Sequence, residues 1–201
     1  VKFEKPDRVP ILHAFLPGAI LKYGEIFIKL LQKYPHDFGP SDYKILNEND
    51  IPPEYRKGAF IDQWGCVWRN EISGILGQVA EHPLVTWNKL KDFKFPKRDV
   101  SPFSFKTQKQ NIEKIKKDYF VIIGPDVPGP GGYFEKMQFI RGYENLMFDL
   151  LEKPKELYLF ADKLSGYFLN GIENALKLKP DAVCFGDDWG TQKQLIISPE
   201  V

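Results

Sequence analysis

Short apolar runs of strand length alternate with stretches of helical periodicity along this chain, and that alternation constrains the fold more than any other feature. Val9 to Ala14 reads as a first strand. Ala19 to Tyr34 follows with Ile20, Tyr23, Ile26/Phe27, Leu30/Leu31 and Tyr34 at three- and four-residue steps, and Pro35 stops it. Ala59 to Arg69 is an aromatic, strand-prone run broken by Gly65, and Ser73 to Ala80 extends it as a small hairpin or addition. Thr86 to Leu90 reads as a helical turn capped by Thr86, and Phe93 to Phe105 as a proline-rich connector. Lys106 to Lys117 has helical spacing with Ile112 and Ile115 as its apolar anchors; its lysines read as a solvated face.

Tyr119 to Gly124 is the next strand-like run, and Pro125 to Gly132 is a loop dense in proline and glycine. Tyr133 to Arg141 and Tyr143 to Leu151 are short helical patterns. Pro154 suits the first position of a long helix reaching Leu178, with Leu157, Phe160/Ala161, Leu164, Phe168, Ile172 and Ala175/Leu176 as its apolar stripe. Asp181 to Phe185 is a fourth strand. The order strand, helix, strand, helices, strand, helices, strand predicts an α/β fold of parallel strands with right-handed crossovers. About four such strands would leave a sheet edge and apolar surface uncovered, so the count fits the N-terminal half of a TIM-type (β/α)8 barrel. Ser198-Pro199-Glu200 has the residues of a helix start, which predicts that residues 1–201 are an incomplete single domain continuing past Val201.

Composition narrows the function classes. Apolar residues are 43% and charged residues 27%, ordinary for a globular core and against disorder or a disulfide scaffold. Lys and Arg total 28 against 27 for Asp and Glu, a net charge of +1 that gives no bulk attraction for nucleic acid. No run approaches the roughly 18 apolar residues of a membrane span. The opening residues lack a basic stretch followed by an apolar one, so no secretory signal is expected, and Cys66 and Cys184 sit in apolar runs, which predicts buried free thiols in a reducing, cytoplasmic compartment.

The stretch with the most chemistry is Phe185-Gly186-Asp187-Asp188-Trp189-Gly190-Thr191-Gln192, placed after a strand where α/β folds bind ligands. Adjacent residues of extended backbone point opposite ways, so one of Asp187 and Asp188 would face a ligand and the other would cap or brace the loop; turn and cap roles for both are the alternative. Asp62 could contact substrate or brace its own loop by accepting backbone N–H groups. Tyr133 could offer its hydroxyl to substrate or pack. His13, at the end of the first run, is either a hydrogen-bonded structural histidine or a ligand contact. The Pro125–Gly132 loop lacks the Gly-Lys-Ser/Thr ending of a P-loop and reads as a pocket wall.

Gly186-Asp187-Asp188-Trp189-Gly190-Thr191-Gln192 followed by Ile196-Ile197-Ser198-Pro199-Glu200 resembles the uroporphyrinogen decarboxylase superfamily, most closely the branch of corrinoid and coenzyme M methyltransferases and O-demethylases. Asp7-Arg8-Val9-Pro10, Asp62-Gln63-Trp64-Gly65-Cys66-Val67-Trp68, His82-Pro83-Leu84, Phe95-Pro96 and Gly142-Tyr143-Glu144-Asn145 with Asp149-Leu150 resemble further segments of it. The resemblance implies a barrel with about twice the strand content of this chain. It implies methyl transfer between a small methylated substrate or methyl-corrinoid protein and a thiol or corrinoid acceptor, with Asp187, Asp188, Gln192, Asp62, His13 and Tyr133 as substrate-binding candidates. It also implies a zinc site of a His-x-Cys pair and a later Cys. His13, His36, His82, Cys66 and Cys184 have no such spacing, so zinc ligands would lie outside this chain, and corrinoid would arrive on a partner protein. The decarboxylases of the superfamily carry arginines after the first strand for a tetrapyrrole's carboxylates. Leu12 to Gly18 holds none, which leaves uroporphyrinogen decarboxylase as the alternative and a non-catalytic ligand-binding barrel as a third reading.

Overall fold

The computed structural model describes residues 5, 7–98 and 101–200. Residues 1–4 and Pro6, Asp99 and Val100 of the connector, and Val201 lie outside the described residues, as does the side chain of Pro102.

Helix α1 spans Pro17–Lys33. It begins two residues before the apolar pattern because Pro17 has the φ of a first helical residue preset and needs no N–H partner there. Its backbone departs from helical geometry at Gly24. Ile20 and Leu31 are buried.

The expected half-barrel of about four parallel strands is not what forms. Val9 to Ala14 makes no strand: the Ile11 N–H donates to the Asp37 carboxylate at 2.6 Å and the His13 N–H to His36 Nδ1 at 3.2 Å, so side chains take donors that a neighbouring strand would use. The run 59–69 is not one strand but a hairpin. β1 (Gly58–Ile61) pairs antiparallel with β2 (Val67–Asn70), Phe60 opposite Trp68, and β2 pairs antiparallel with β3 (Gln78–Glu81). The cause is the turn at 62–65, where the Asp62 carboxylate accepts the N–H groups of Trp64 and Cys66, each at 2.9 Å, and its own carbonyl accepts from Gly65 at 3.0 Å. The Asp-x-x-Gly turn reverses the chain before a long strand can develop.

Two strands of the expected set do pair in parallel. β4 (Ile122–Ile123) and β5 (Ala182–Val183) form a two-stranded sheet. Asp181 closes its start by accepting the Val121 N–H at 2.8 Å and pairing with Lys116 at 2.9 Å. Before β4 lies α2 (Pro102–Ile115), which Ser101 caps through the Ser104 N–H. It begins four residues before the periodic stretch, since Ser followed by Pro is a start signal in its own right.

Between β4 and β5 run α3 (Tyr133–Arg141), α4 (Tyr143–Glu152) and α5 (Lys155–Lys177). In α5 the buried positions are Leu157, Phe160, Leu164, Phe168, Gly171 and Ala175, one face of a 3.6-residue period. Pro154 is the residue before the helix rather than its first. The core joins Trp64, Cys66 and Trp68 of the hairpin to Phe134, Met137 and Ile140 of α3, Leu146 of α4, and the α5 stripe. Each large side chain buried there contributes about 1.5–3 kcal/mol. Cys66 is buried, but Cys184, expected to be buried too, is exposed because it follows the short β5; both thiols are free. Trp87–Lys89 forms one 3-10 turn, and Thr86 bonds Asn88 rather than capping it. Ser198-Pro199-Glu200 is a turn. No described helix is long and apolar enough to cross a membrane.

Candidate functional site

Helix α3 begins at Gly132, which has no side chain to cap it. The orphan N–H groups of Phe134 and Glu135 are instead taken by the Asp187 carboxylate, at 2.6 and 3.1 Å, from more than fifty residues away. A carboxylate there also meets the positive end of the helix dipole. Gly132 is required by the approach: a Cβ on it would lie 2.6 Å from the Cβ of Asp187. Glu135 closes the first turn by accepting the Gly132 N–H at 3.0 Å.

Asp187 is thus a brace, and it also holds its own loop through the Asp188 N–H at 3.1 Å. Asp188 is exposed and, among the described residues, accepts only the Gly190 N–H at 3.2 Å, leaving its carboxylate facing solvent. Gln192 is exposed in the following bend, which Thr191 shapes by accepting the N–H groups of residues 193 and 194. Trp189 packs on Phe134 at 5.4 Å between ring centres, tying this loop to α3.

Asp62 spends its lone pairs on the hairpin. One oxygen accepts the two turn N–H groups and the other the Trp68 indole N–H at 2.8 Å. It also lines a cleft of about 440 Å³ with Glu54, Phe60, Trp64, Pro128 and Pro130. The Trp64 indole donates to the Pro128 carbonyl at 2.9 Å, so the hairpin turn and the Pro/Gly loop form opposite walls. The Tyr133 hydroxyl donates to the Ala161 carbonyl at 2.8 Å, and its ring meets Phe168 edge-on. Burial pushes that hydroxyl above its ordinary pKa. Tyr133 is therefore committed to α5.

His13 belongs to a different cluster. Its ring bridges the Tyr43 hydroxyl at 2.8 Å and the Tyr34 carbonyl at 2.7 Å, and stacks on His36 with centres 5.3 Å apart. Beside it Arg8 and Asp37 form a bidentate pair, which holds the Asp37 carboxyl below its ordinary pKa, helped by the Ile11 N–H.

Two buried cations on α3 escape sequence reasoning. Arg141 is buried; it donates to Asp149 at 2.6 and 3.3 Å and to the carbonyls of Leu84 and Val85, with Trp87 stacked on its guanidinium and bonded to Asp149 at 3.1 Å. Lys136 is 1% exposed. Its ammonium donates to the Pro130 carbonyl at 2.5 Å and lies 5.3 Å from the centre of the Trp64 ring. Burial brings its pKa down to about 8, against attraction from Asp62 that favours the charged form. The available signal was position: Lys136 and Arg141 lie on the same face of α3 as Met137 and Ile140, where a charge needs an internal partner.

Three stretches distant in sequence, and the adjoining helix α4, thus bond to α3 or its preceding loop. Trp64 reaches Pro128 and the Cys66 thiol reaches the Phe139 carbonyl at 3.3 Å; His82 reaches the same carbonyl at 2.8 Å; Asn145 and Asp149 bond Arg141; Asp187 caps the helix start. Arg8 and Phe95-Pro96 stand apart, on Asp37 and on Tyr167 and Phe160. Among the described residues no three His, Cys, Asp or Glu side chains converge, so those present do not fit a zinc site. No protein-family model matches the chain, and neither a curated protein nor a solved structure matches it.

Proposed function

We propose that the chain is part of an enzyme of methyl transfer, related to the corrinoid and coenzyme M methyltransferase branch of the uroporphyrinogen decarboxylase superfamily. The observation that supports this reading is the convergence on α3 of the segments that carry the resemblance, 62–68, 82–84, 142–150 and 186–192. The reading rests on those segments and not on a barrel. In it the cleft between the hairpin turn and the Pro/Gly loop receives the small substrate. Phe60, Trp64 and Pro128 give it apolar walls that exclude water, and, outside that lining, the exposed carboxylate of Asp188 and the exposed amide of Gln192 are available to a ligand or a corrinoid-bearing partner. The zinc that the resemblance implies would take ligands other than the described residues.

The decarboxylase alternative fits the cleft less well. Glu54 and Asp62 line it and no arginine does, so a substrate with many carboxylates would meet like charge. The deciding assay incubates the protein with methylcobalamin and coenzyme M, and in parallel with uroporphyrinogen. The reading expects methylated thiol by mass spectrometry and no loss of CO2. Carbon dioxide release without methyl transfer, or neither reaction, overturns it.

A further inference from the structure

The ammonium of Lys136 has an incomplete set of partners for a buried charge. Its one hydrogen-bond acceptor among the described residues is the neutral Pro130 carbonyl; its other neighbours are the faces of Trp64 and Phe139. No described carboxylate oxygen lies within 4.0 Å of it. Asp62 exerts a field on it but is held by three other donors. A buried ammonium in this position favours an anion as its complement.

The backbone of Gly129 runs beside Nζ. Gly129 carries no side chain, and a Cβ there would sit 3.3 Å from Nζ. Gly129 lines both the 440 Å³ cleft beside Asp62 and a second cleft of about 460 Å³ beside Gly186. The segment is anchored at each end, by the Trp64 indole on the Pro128 carbonyl and by Glu135 on the Gly132 N–H. Between these anchors, residues 129–131 are held among the described residues by the Lys136–Pro130 bond, and Gly129 and Gly131 flank Pro130 with φ of 75° and 88°, a pair of joints open to glycine.

We propose that residues 129–131 are a strap dividing one ligand site into two clefts, and that Lys136 Nζ binds the carboxylate of an apolar monocarboxylate when the strap lifts. The exchange is favourable in kind: a neutral acceptor gives way to a charged one. Glu54 and Asp62, which line the first cleft, select a single negative charge over a doubly charged phosphate, and Phe60, Trp64 and Pro128 accept the apolar body. The inference stands on the surroundings of Lys136 and does not require methyl transfer to be the activity.

The test is NMR on the full chain with lysine labelled at Cε, the Lys136 signal being assigned by its loss in Lys136→Met. Benzoate is the probe, with benzyl alcohol as neutral isostere and inorganic phosphate as dianion. Benzoate is expected to shift the Lys136 signal saturably, while benzyl alcohol and phosphate leave it in place. Gly129→Ala, strained at positive φ and crowding Nζ when the strap is down, is expected to bind benzoate several-fold tighter. If Lys136→Met does not fold, the Gly129→Ala comparison and a pH titration of the one lysine signal perturbed toward pH 8 carry the assignment. No benzoate shift in either the natural chain or Gly129→Ala overturns the proposal, as does a shift equalled by benzyl alcohol or phosphate.

Discussion

Replacing Asp187 by Asn separates its bracing role from that of its neighbour Asp188. Asp187 accepts two first-turn N–H groups of α3, at 2.6 and 3.1 Å, through different oxygens. Asn keeps one oxygen and turns an NH2 group toward the other donor. One orphan N–H of the helix start then loses its partner, and the negative charge opposite the dipole is gone. Loss of such a cap costs about 1 kcal/mol, and the charge a further 0.3–1 kcal/mol or so at a half-buried site, for a total of about 1–2 kcal/mol. In a chain of this size that lowers the melting temperature by about 2–8 °C. Asp188→Asn, which among the described residues touches only the Gly190 N–H at an exposed position, should stay within about 0.5 kcal/mol. Urea unfolding followed by tryptophan fluorescence reads both, since Trp64 and Trp68 lie in the core. Equal effects of the two substitutions, or a larger one from Asp188→Asn, would refute the capping argument.

Arg141→Met strands Asp149 at 4% exposure with Trp87 alone and should cost about 3–5 kcal/mol, most of it recovered when Asp149→Leu is added; urea midpoints of the single and double variants check this. Asp62→Asn faces an NH2 group to the buried Trp68 indole N–H and should cost about 1–3 kcal/mol in the same assay. The Lys136 amine, with a folded pKa of about 8 against an ordinary 10.5, binds fewer protons than in the unfolded chain between those values, so stability attributable to it rises over that interval, by an amount on the order of 3 kcal/mol. Cys66, kept as a thiol by burial, acts in the opposite sense above about pH 9, so the quantity to follow is the natural chain minus Lys136→Met, which should grow in favour of the natural chain from about pH 8 to 10.5. A thiol reagent should modify Cys184 at once and Cys66 only on unfolding; two fast thiols would contradict the burial of Cys66.

The helices were legible where burial imposes a period. Residues 133–141, 143–152 and 155–177 show one because each lays a single face on the core, and Gly142 and Pro154 punctuate them. The parallel pair at 122–123 and 182–183 was legible too, but the antiparallel pairing within 58–81 was not, because aromatic and β-branched runs report extended backbone and not the direction of the partner. The turn at Asp62–Gly65 carried the signal that 59–69 reverses, but it was outweighed by the apolar run around it. The bracing of α3 by Asp187 was out of reach, since nothing at Gly132 marks a helix that needs a cap from residue 187. Nothing in the residues singles out Lys136 and Arg141 until the face they share with Met137 and Ile140 is seen to be buried.

The central claim is that carboxylates of the sequence motifs frame α3 and the hairpin that packs on it. Native-state hydrogen exchange at four amides tests it most directly: Phe134 and Glu135, held by Asp187, and Trp64 and Cys66, held by Asp62. The account predicts that all four exchange as slowly as the buried amides of α5 around Phe160 and Leu164. Exchange of these four at the rate of an unprotected loop, with α5 still protected, would contradict it.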